Sequence, residues 1–295
     1  MKKLTKTIKI IGTVIPGKKL GQKIGFPTAN LKLTKQLKIK TGVYLAITEL
    51  NHQSYLSLAY FGPKYIQSSS KNSFEVFLFN FNQDIYHKKP IVKLTHFIRS
   101  PKKLDSVIKI KTQLTKDVQA IVKNNLVLVN QQNQITGVTN VLQAHQNPPQ
   151  LHRAVSIILF NSQGELLVQK RSQYKPLWPL FWSNTCCTHP RPGEIPLQTA
   201  QRRLFEEMGI KTKLKFFYQF TYKAKYNQKL LEYEIDSVFL GLSDKQPKLN
   251  KQEAADYQYM SLTQLKKDIK INPKKYTPWF KLILKRLKSS DILTS

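Results

Sequence analysis

The chain has only two cysteines in 295 residues, and they are neighbours, Cys186 and Cys187. Adjacent residues rarely bring their Cβ atoms into disulfide geometry, so a disulfide-stapled scaffold is excluded and free thiols in a reducing, cytoplasmic location are expected. Acidic residues are also scarce, 17 against 48 basic ones, which leaves a net charge of +31. That excess attracts nucleic acid, anionic membranes and phosphorylated small molecules alike, but the lysines are scattered through both halves and form no single block. Long apolar runs are missing. The stretch AVSIILF at 154–160 is among the longest and falls far short of the roughly 18 to 20 residues of a membrane span, so no span is expected. The N-terminal MKKLTKTIKIIGTVIPG is interrupted by Lys9, Gly12 and Pro16, unlike a signal peptide.

What is present divides in two, as the length leads one to expect. Residues 7–98 form short β-branched and aromatic runs separated by turn residues (TIKIIGTVI, TGVYLAITEL, SYLSLAYFG, FEVFLFNF, IVKLTHFI), the pattern of a small antiparallel β-barrel. A helix is expected to open at Ser100 and Pro101 and to close this domain, with Leu104, Ile108, Val118, Ile121 and Val122 at helical spacing. From residue 124 onward strands (AVSIILFN, ELLVQKR, KLLEYEIDSVFL) mix with helices (LQTAQRRLFEEMG, LTQLKKDI, PWFKLILKRLK), which predicts an α/β domain with a mixed sheet. The expected domains are therefore 1–123 and 124–295.

The second half carries the chemistry-bearing residues. If NTCCTHP is extended, Cys187 and His189 project to one side and Cys186 to the other. In LEYEID the same period puts Glu232 and Glu234 on one face of an otherwise apolar run, and buried carboxylates need partners. His145, His152 and His189 are the candidates to share a divalent cation with them. Nitrogen and carboxylate ligands suit Mg²⁺, Mn²⁺ or Zn²⁺ and do not choose among them.

The stretch RRLFEEMGI at 202–210 resembles the end of a Nudix box, with Glu206, Glu207, Gly209 and Ile210 matching and Glu194 upstream. Thr188 stands in place of the first glycine and Arg203 in place of a glutamate, which argues against a plain Nudix hydrolase. Read with QAHQNPPQLHRAVSIILFN, LLVQKRSQYKPLWPLFWSNTCCTHP, FTYKAK, EYEID and TPWF, residues 125–288 resemble the type 1 isopentenyl-diphosphate isomerases. The resemblance implies a metal site of His145, His152, His189, Glu232 and Glu234, with Glu207 on a Mg²⁺ that touches the diphosphate. It implies that Cys187 and Glu234 flank the substrate and that Arg171, Lys175 and Arg203 grip the diphosphate. Isomerisation to dimethylallyl diphosphate moves one proton onto C4 and another off C2 through a tertiary cation, so an acid and a base must face each other across the substrate. A thiol and a carboxylate assisted by Tyr222 can do this, and the indole face of Trp279 can stabilise the cation. The family pattern is left at Val141, where a lysine is common, and at Leu180, where glycine follows the proline.

In the first half, GTVIPGKKLGQKIGFPTANLKL packs glycines, including Gly17, Gly21 and Gly25, around a basic stretch, a composition that lets phosphate approach the backbone. With TGVYLA, FEVFLFNFNQDIY and FIRSPKKLDSVIKIKTQL it resembles riboflavin kinase across residues 7–122. This implies that Thr28 and Asn30 bind Mg²⁺ and ATP and that Glu75 is the base acting on the ribityl hydroxyl of riboflavin. Gln22, His87 and the segment AYFGPKYI depart from that family's pattern. The reading is a fusion of a riboflavin kinase barrel with an isomerase. Its competitors are a Nudix-type diphosphate hydrolase joined to an inactive flavin- or nucleotide-binding barrel, and a basic nucleic-acid-binding protein. The latter explains the charge but none of the motifs, so no specific nucleic-acid partner is expected.

Overall fold

The computed structural model describes residues 1–17, 19–64 and 69–291. The chain divides into two compact units, Met1–Val138 and Thr139–Ser295. In the first, β1 (Lys2–Ile15), α1 (Leu20–Lys23), β2 (Thr28–Leu33), β3 (Gly42–Leu50), β4 (Gln53–Lys64), β5 (Ser69–Leu78) and β6 (Ile91–Arg99) precede α2 (Val107–Val122). The six strands close into a barrel in the order β1-β2-β5-β4-β3-β6, every pairing antiparallel. Closure leaves no free sheet edge, which is how a lysine-rich β domain avoids pairing with other chains. Alternation fills the interior with Val14, Leu31, Tyr44, Ala46, Ala59, Val76, Val92 and Leu94.

The closing helix starts later than the sequence predicts. Residues 101–105 stay outside α2, and Ser106 supplies the cap, its hydroxyl accepting from the Lys109 amide at 3.3 Å. A capping hydroxyl satisfies an otherwise orphaned donor, and Pro101 offers nothing equivalent. α2 is clamped to β6 by a bidentate pair, Arg99 Nε to Asp117 Oδ1 at 2.8 Å and Nη2 to Oδ2 at 2.7 Å. This helix ends at the boundary expected after residue 123, but the compact units divide later, after Val138. The hairpin that follows, β7 (Asn125–Val129) and β8 (Ile135–Asn140), sends Ile135 and Val138 against Val43, Leu45 and Ile121 of the first unit.

The second unit runs through α3 (Val141–His145), β9 (His152–Phe160), β10 (Leu166–Arg171), β11 (Trp182–Ser183), β12 (Cys186–Thr188), α4 (Pro196–Met208), β13 (Leu214–Lys225), β14 (Leu231–Leu242), β15 (Ala254–Met260), α5 (Leu262–Ile271) and α6 (Pro278–Arg286). Its sheet runs β11-β10-β9-β14-β13, with β12 on β9 and β15 on β10, and it is mixed because β9 and β14 are parallel. β9 is apolar on both faces and separates two cores. Ile158 and Phe160 meet α5 and α6 through Leu265, Phe280 and Ile283, whereas Val155, Ile157 and Leu159 meet α4 through Ala200, Leu204 and Met208. α4 stops at Gly209, whose φ of +70° is a left-handed cap that a side chain would strain.

Candidate functional site

Strand register assembles the polar centre of the second unit. In the parallel pair Glu234 lies opposite His152, and in the neighbouring antiparallel pair Tyr222 lies opposite Glu234, so the three share one face across three strands. His145 comes from the end of α3 and His189 from just beyond β12. The ligand atoms of His145, His152, His189, Glu232 and Glu234 all lie within 4.8 Å of one another. His145 Nδ1 lies 2.6 Å from the Val141 carbonyl and His152 Nδ1 lies 2.8 Å from that of Gln150. A carbonyl only accepts, so both Nδ1 atoms carry hydrogen and both Nε2 atoms present lone pairs. Those Nε2 atoms are buried, make no acceptable hydrogen bond, and face carboxylates, His145 to Glu232 at 2.8 Å and His152 to Glu234 at 3.4 Å. Acceptor against acceptor in a buried place calls for a cation between them, so the set fits a divalent ion.

Without that ion, protons fill the role unevenly. Burial lowers the affinity of His145 for a proton, but its contact with Glu232 outweighs this and raises the pKa to about 9. His189 is pushed down to about 4 by burial, against the opposing pull of Glu234. Burial and the charge of Glu234 raise Glu232, and Glu234 is held well below the carboxylate range because His152 and His189 outweigh its burial.

Beside this cluster is a cavity of about 40 Å³, lined by Arg171, Cys187, Tyr222, Glu234, Asp236 and Trp279 among others. β12 is extended as expected, so Cys186 is fully buried against α4 while Cys187 reaches the cavity. Arg171 Nη1 is 3.3 Å from Cys187 Sγ, and Ser183 Oγ is 3.9 Å from it. Burial nonetheless keeps the Cys187 pKa above that of an ordinary thiol. Tyr222 donates to Glu234 Oε2 at 2.5 Å, and Trp279 is fixed by its indole N–H on Asn184 Oδ1 at 3.1 Å.

In the barrel unit a cavity of about 640 Å³ is lined by Gly17, Gly21, Thr28, Asn30 and Glu75, with Ile110 and Leu114 of α2 among the other walls. That volume is in the range of small-molecule and cofactor sites. Asn30 is paired opposite Glu75 and Thr28 opposite Phe77. Glu75 accepts from Ser73 Oγ at 3.2 Å and from Thr28 Oγ1 at 3.4 Å. A Cβ on Gly21 would stand 2.2 Å from the Phe26 carbonyl oxygen, so the loop closes this tightly only with glycine there. Gly25 is not on the lining; it turns the chain with a φ of +83°. Lys18 and the last two residues of AYFGPKYI lie outside the described residues.

The family model for riboflavin kinase matches residues 4–125, and that for the NUDIX domain matches residues 150–280. An isopentenyl-diphosphate Delta-isomerase of Pectobacterium atrosepticum is 38% identical over 162 residues, 55% of this chain and 90% of that protein. An isopentenyl-diphosphate Delta-isomerase 2 of Photorhabdus laumondii is 42% identical over 167 residues, 57% of this chain and 94% of that protein. The chain belongs to the isopentenyl-diphosphate Delta-isomerase family. A riboflavin kinase domain precedes its isomerase unit.

The cations expected to hold a diphosphate in the isomerase unit are all engaged. Arg171 is buried and donates to the carbonyls of Trp178 at 3.0 Å and Leu177 at 2.9 Å, besides its contact with Cys187. Lys175 donates to Glu253 at 2.5 Å. Arg203 is bound by three carboxylates, Glu206 at 3.0 Å, Glu207 at 2.5 Å and Glu253 at 2.8 Å. Glu207 is fully buried and keeps Oε2 without a partner. Two residues escaped the sequence reading. Asp236 continues the two-residue period of Glu232 and Glu234 onto the cavity wall, where it accepts from Ser156 Oγ at 2.7 Å. Glu253 sits in a loop whose sequence gives no signal. Leu180, standing where the family has glycine, keeps a φ of +63°, and His87 likewise +64°.

Proposed function

We propose that the isomerase unit converts isopentenyl diphosphate to dimethylallyl diphosphate in a metal-dependent way, and that the barrel phosphorylates riboflavin to FMN with ATP. The observation that carries the first reading is that Cys187, Tyr222, Glu234 and Trp279 line one cavity next to the His/Glu cluster. At rest Cys187 Sγ holds its proton, Glu234 is ionised, and Tyr222 donates to Glu234. The walls thus hold one transferable proton and one vacancy for it. A double-bond shift conserves this count: one wall gives a proton to the alkene at C4 while another takes one from C2, and the π electrons move from C3–C4 to C2–C3. Between these events the charge is at C3, and the Trp279 ring offers a face that stabilises it without a lone pair to trap it. Tyr222 steers the Glu234 carboxylate. A divalent cation bound by His145, His152, His189, Glu232 and Glu234 would supply the fixed positive charge that keeps Glu234 ionised.

At about 40 Å³ the cavity has room for no more than a few waters, so the walls must part to admit a five-carbon diphosphate. The dryness this gives favours a carbocation over its capture by water.

For the barrel, Glu75 stands opposite Asn30 and within reach of Thr28 on a cavity large enough for a nucleotide or flavin, which is the arrangement a base on the ribityl hydroxyl needs. Phosphoryl transfer depends chiefly on positioning and metal charge, so the base contributes modestly. Isopentenyl diphosphate incubated with the intact chain and a divalent cation in D₂O should gain deuterium in a new allylic product by proton NMR. Riboflavin with MgATP should yield FMN by chromatography. No allylic product with any of Mg²⁺, Mn²⁺ or Zn²⁺ would overturn the first reading.

A further inference from the structure

Lys175 and Arg203 share one partner, Glu253. The carboxylate divides its oxygens between them, Oε2 to Lys175 Nζ at 2.5 Å and Oε1 to Arg203 Nη2 at 2.8 Å. The cations arrive from different elements, Lys175 from the loop after β10 and Arg203 from α4. The carboxylate is mounted on a segment stitched to both. Asn250 N donates to the Glu207 carbonyl of α4 at 2.9 Å, Glu253 N donates to the Asn250 carbonyl at 2.9 Å, and Ser172 N donates to the Glu253 carbonyl at 3.0 Å. Ser172 Oγ closes the tie by donating to the Lys251 carbonyl at 2.9 Å. The three side chains are only 15 to 21% exposed, so the trio is shielded yet reachable. Each cation keeps spare donors. An ammonium has three N–H groups, and Arg203 Nε is buried with no partner.

We propose that Glu253 is a positioning residue for the diphosphate: it fixes the Lys175 ammonium and the Arg203 guanidinium relative to each other before substrate arrives. The proposal rests on the isomerase reading of this unit. A free lysine must give up its rotamers on binding, and a carboxylate that has already ordered it removes that loss from the binding step. Burial would raise the Glu253 pKa, but Lys175 and Arg203 outweigh it and hold it down to about 2, so the clamp keeps its charge over any assay range. A carboxylate that merely neutralised the two cations would act in the opposite direction, since removing it would tighten diphosphate binding.

Glu253→Gln in the full chain separates the two roles. Isomerisation kinetics should show KM for isopentenyl diphosphate raised about tenfold with kcat within twofold, and calorimetry with magnesium pyrophosphate should show a similar weakening, about 1.4 kcal/mol. Glu253→Asp should recover part of the loss. With Lys175→Gln already in place, Glu253→Gln should raise KM by much less than tenfold. An unchanged or lowered KM overturns the proposal, as does a fall in kcat alone. If the unmodified chain fails to isomerise, the isomerase reading fails, and pyrophosphate then decides separately: equal affinity in both proteins, or none in the unmodified one, overturns the clamp. Should Glu253→Gln not fold by circular dichroism, Glu253→Asp decides, with a raised KM at unchanged kcat in support and an unchanged KM against.

Discussion

Loading the His/Glu centre with a divalent cation should expel at least about one proton per chain at pH 7.5. In the metal-free centre His145 has a pKa of about 9, so at pH 7.5 it is about 97% imidazolium. His189, pushed to about 4, and the ionised Glu234 have no proton to lose, while Glu232, raised by burial, and Asp236, raised to about 8, add whatever protons the entering charge drives from them. A metal takes only the neutral imidazole, so the His145 proton must leave as the ion enters. Well below pH 9 each further unit of acidity then costs about 1.4 kcal/mol of metal affinity through His145, and the fall from pH 9 to pH 7 amounts to about 2.3 kcal/mol, about fiftyfold. Three unperturbed histidines would instead give one loss near pH 6.5. Isothermal titration of Mn²⁺ or Zn²⁺ into stripped protein, in two buffers of different ionisation enthalpy at pH 7.5, counts the protons directly. An apparent enthalpy that does not change with the buffer would mean that His145 is already neutral, and the reasoning from its contact with Glu232 would be refuted.

Other outcomes test other links. Cys187→Ala should abolish allylic product, whereas Cys186→Ala, which leaves a small void against α4, should retain most turnover and lose about 1 kcal/mol of stability; equal activities in the two variants would refute the division of labour. Glu75→Gln should slow FMN formation in the riboflavin assay and leave isomerisation kinetics unchanged, because every side chain of the His/Glu centre and its cavity lies beyond Thr139. Leu180→Gly should raise the thermal midpoint of its unit by about 2 to 4 °C, since a side chain at a φ of +63° costs about 1 kcal/mol, and Leu180→Ala should not, because alanine keeps the offending Cβ. Burial and the neighbouring Glu234 raise the Asp236 pKa to about 8, so its folded form prefers the proton and the stability of metal-stripped protein should fall as pH rises from about 4 to 8; Asp236→Asn should flatten that slope in thermal melts.

What the sequence could tell depended on whether a pattern was local. The period of two in NTCCTHP and LEYEID is local, and it separated Cys186 from Cys187 and aligned Glu232 with Glu234 before any fold was known. The barrel was legible from strand-length runs, but β2 was not: TANLKL alternates like a strand, yet it follows a glycine-rich segment and reads as the end of a loop. The helix cap at Ser106 lost to the more conspicuous Pro101 for a similar reason. Where meaning depends on burial, the sequence is silent. Two histidines of one cluster acquire opposite proton affinities because Glu232 lies 2.8 Å from His145 while His189 loses more to desolvation than Glu234 returns. Arg203 and Lys175 look like free cations in sequence, and their restraint by Glu253 comes from a loop some 50 and 80 residues away. The residues that hold the reactive ones in place are thus the ones no motif displays, because a glutamate on an irregular loop acquires its role only when two other elements are brought to it.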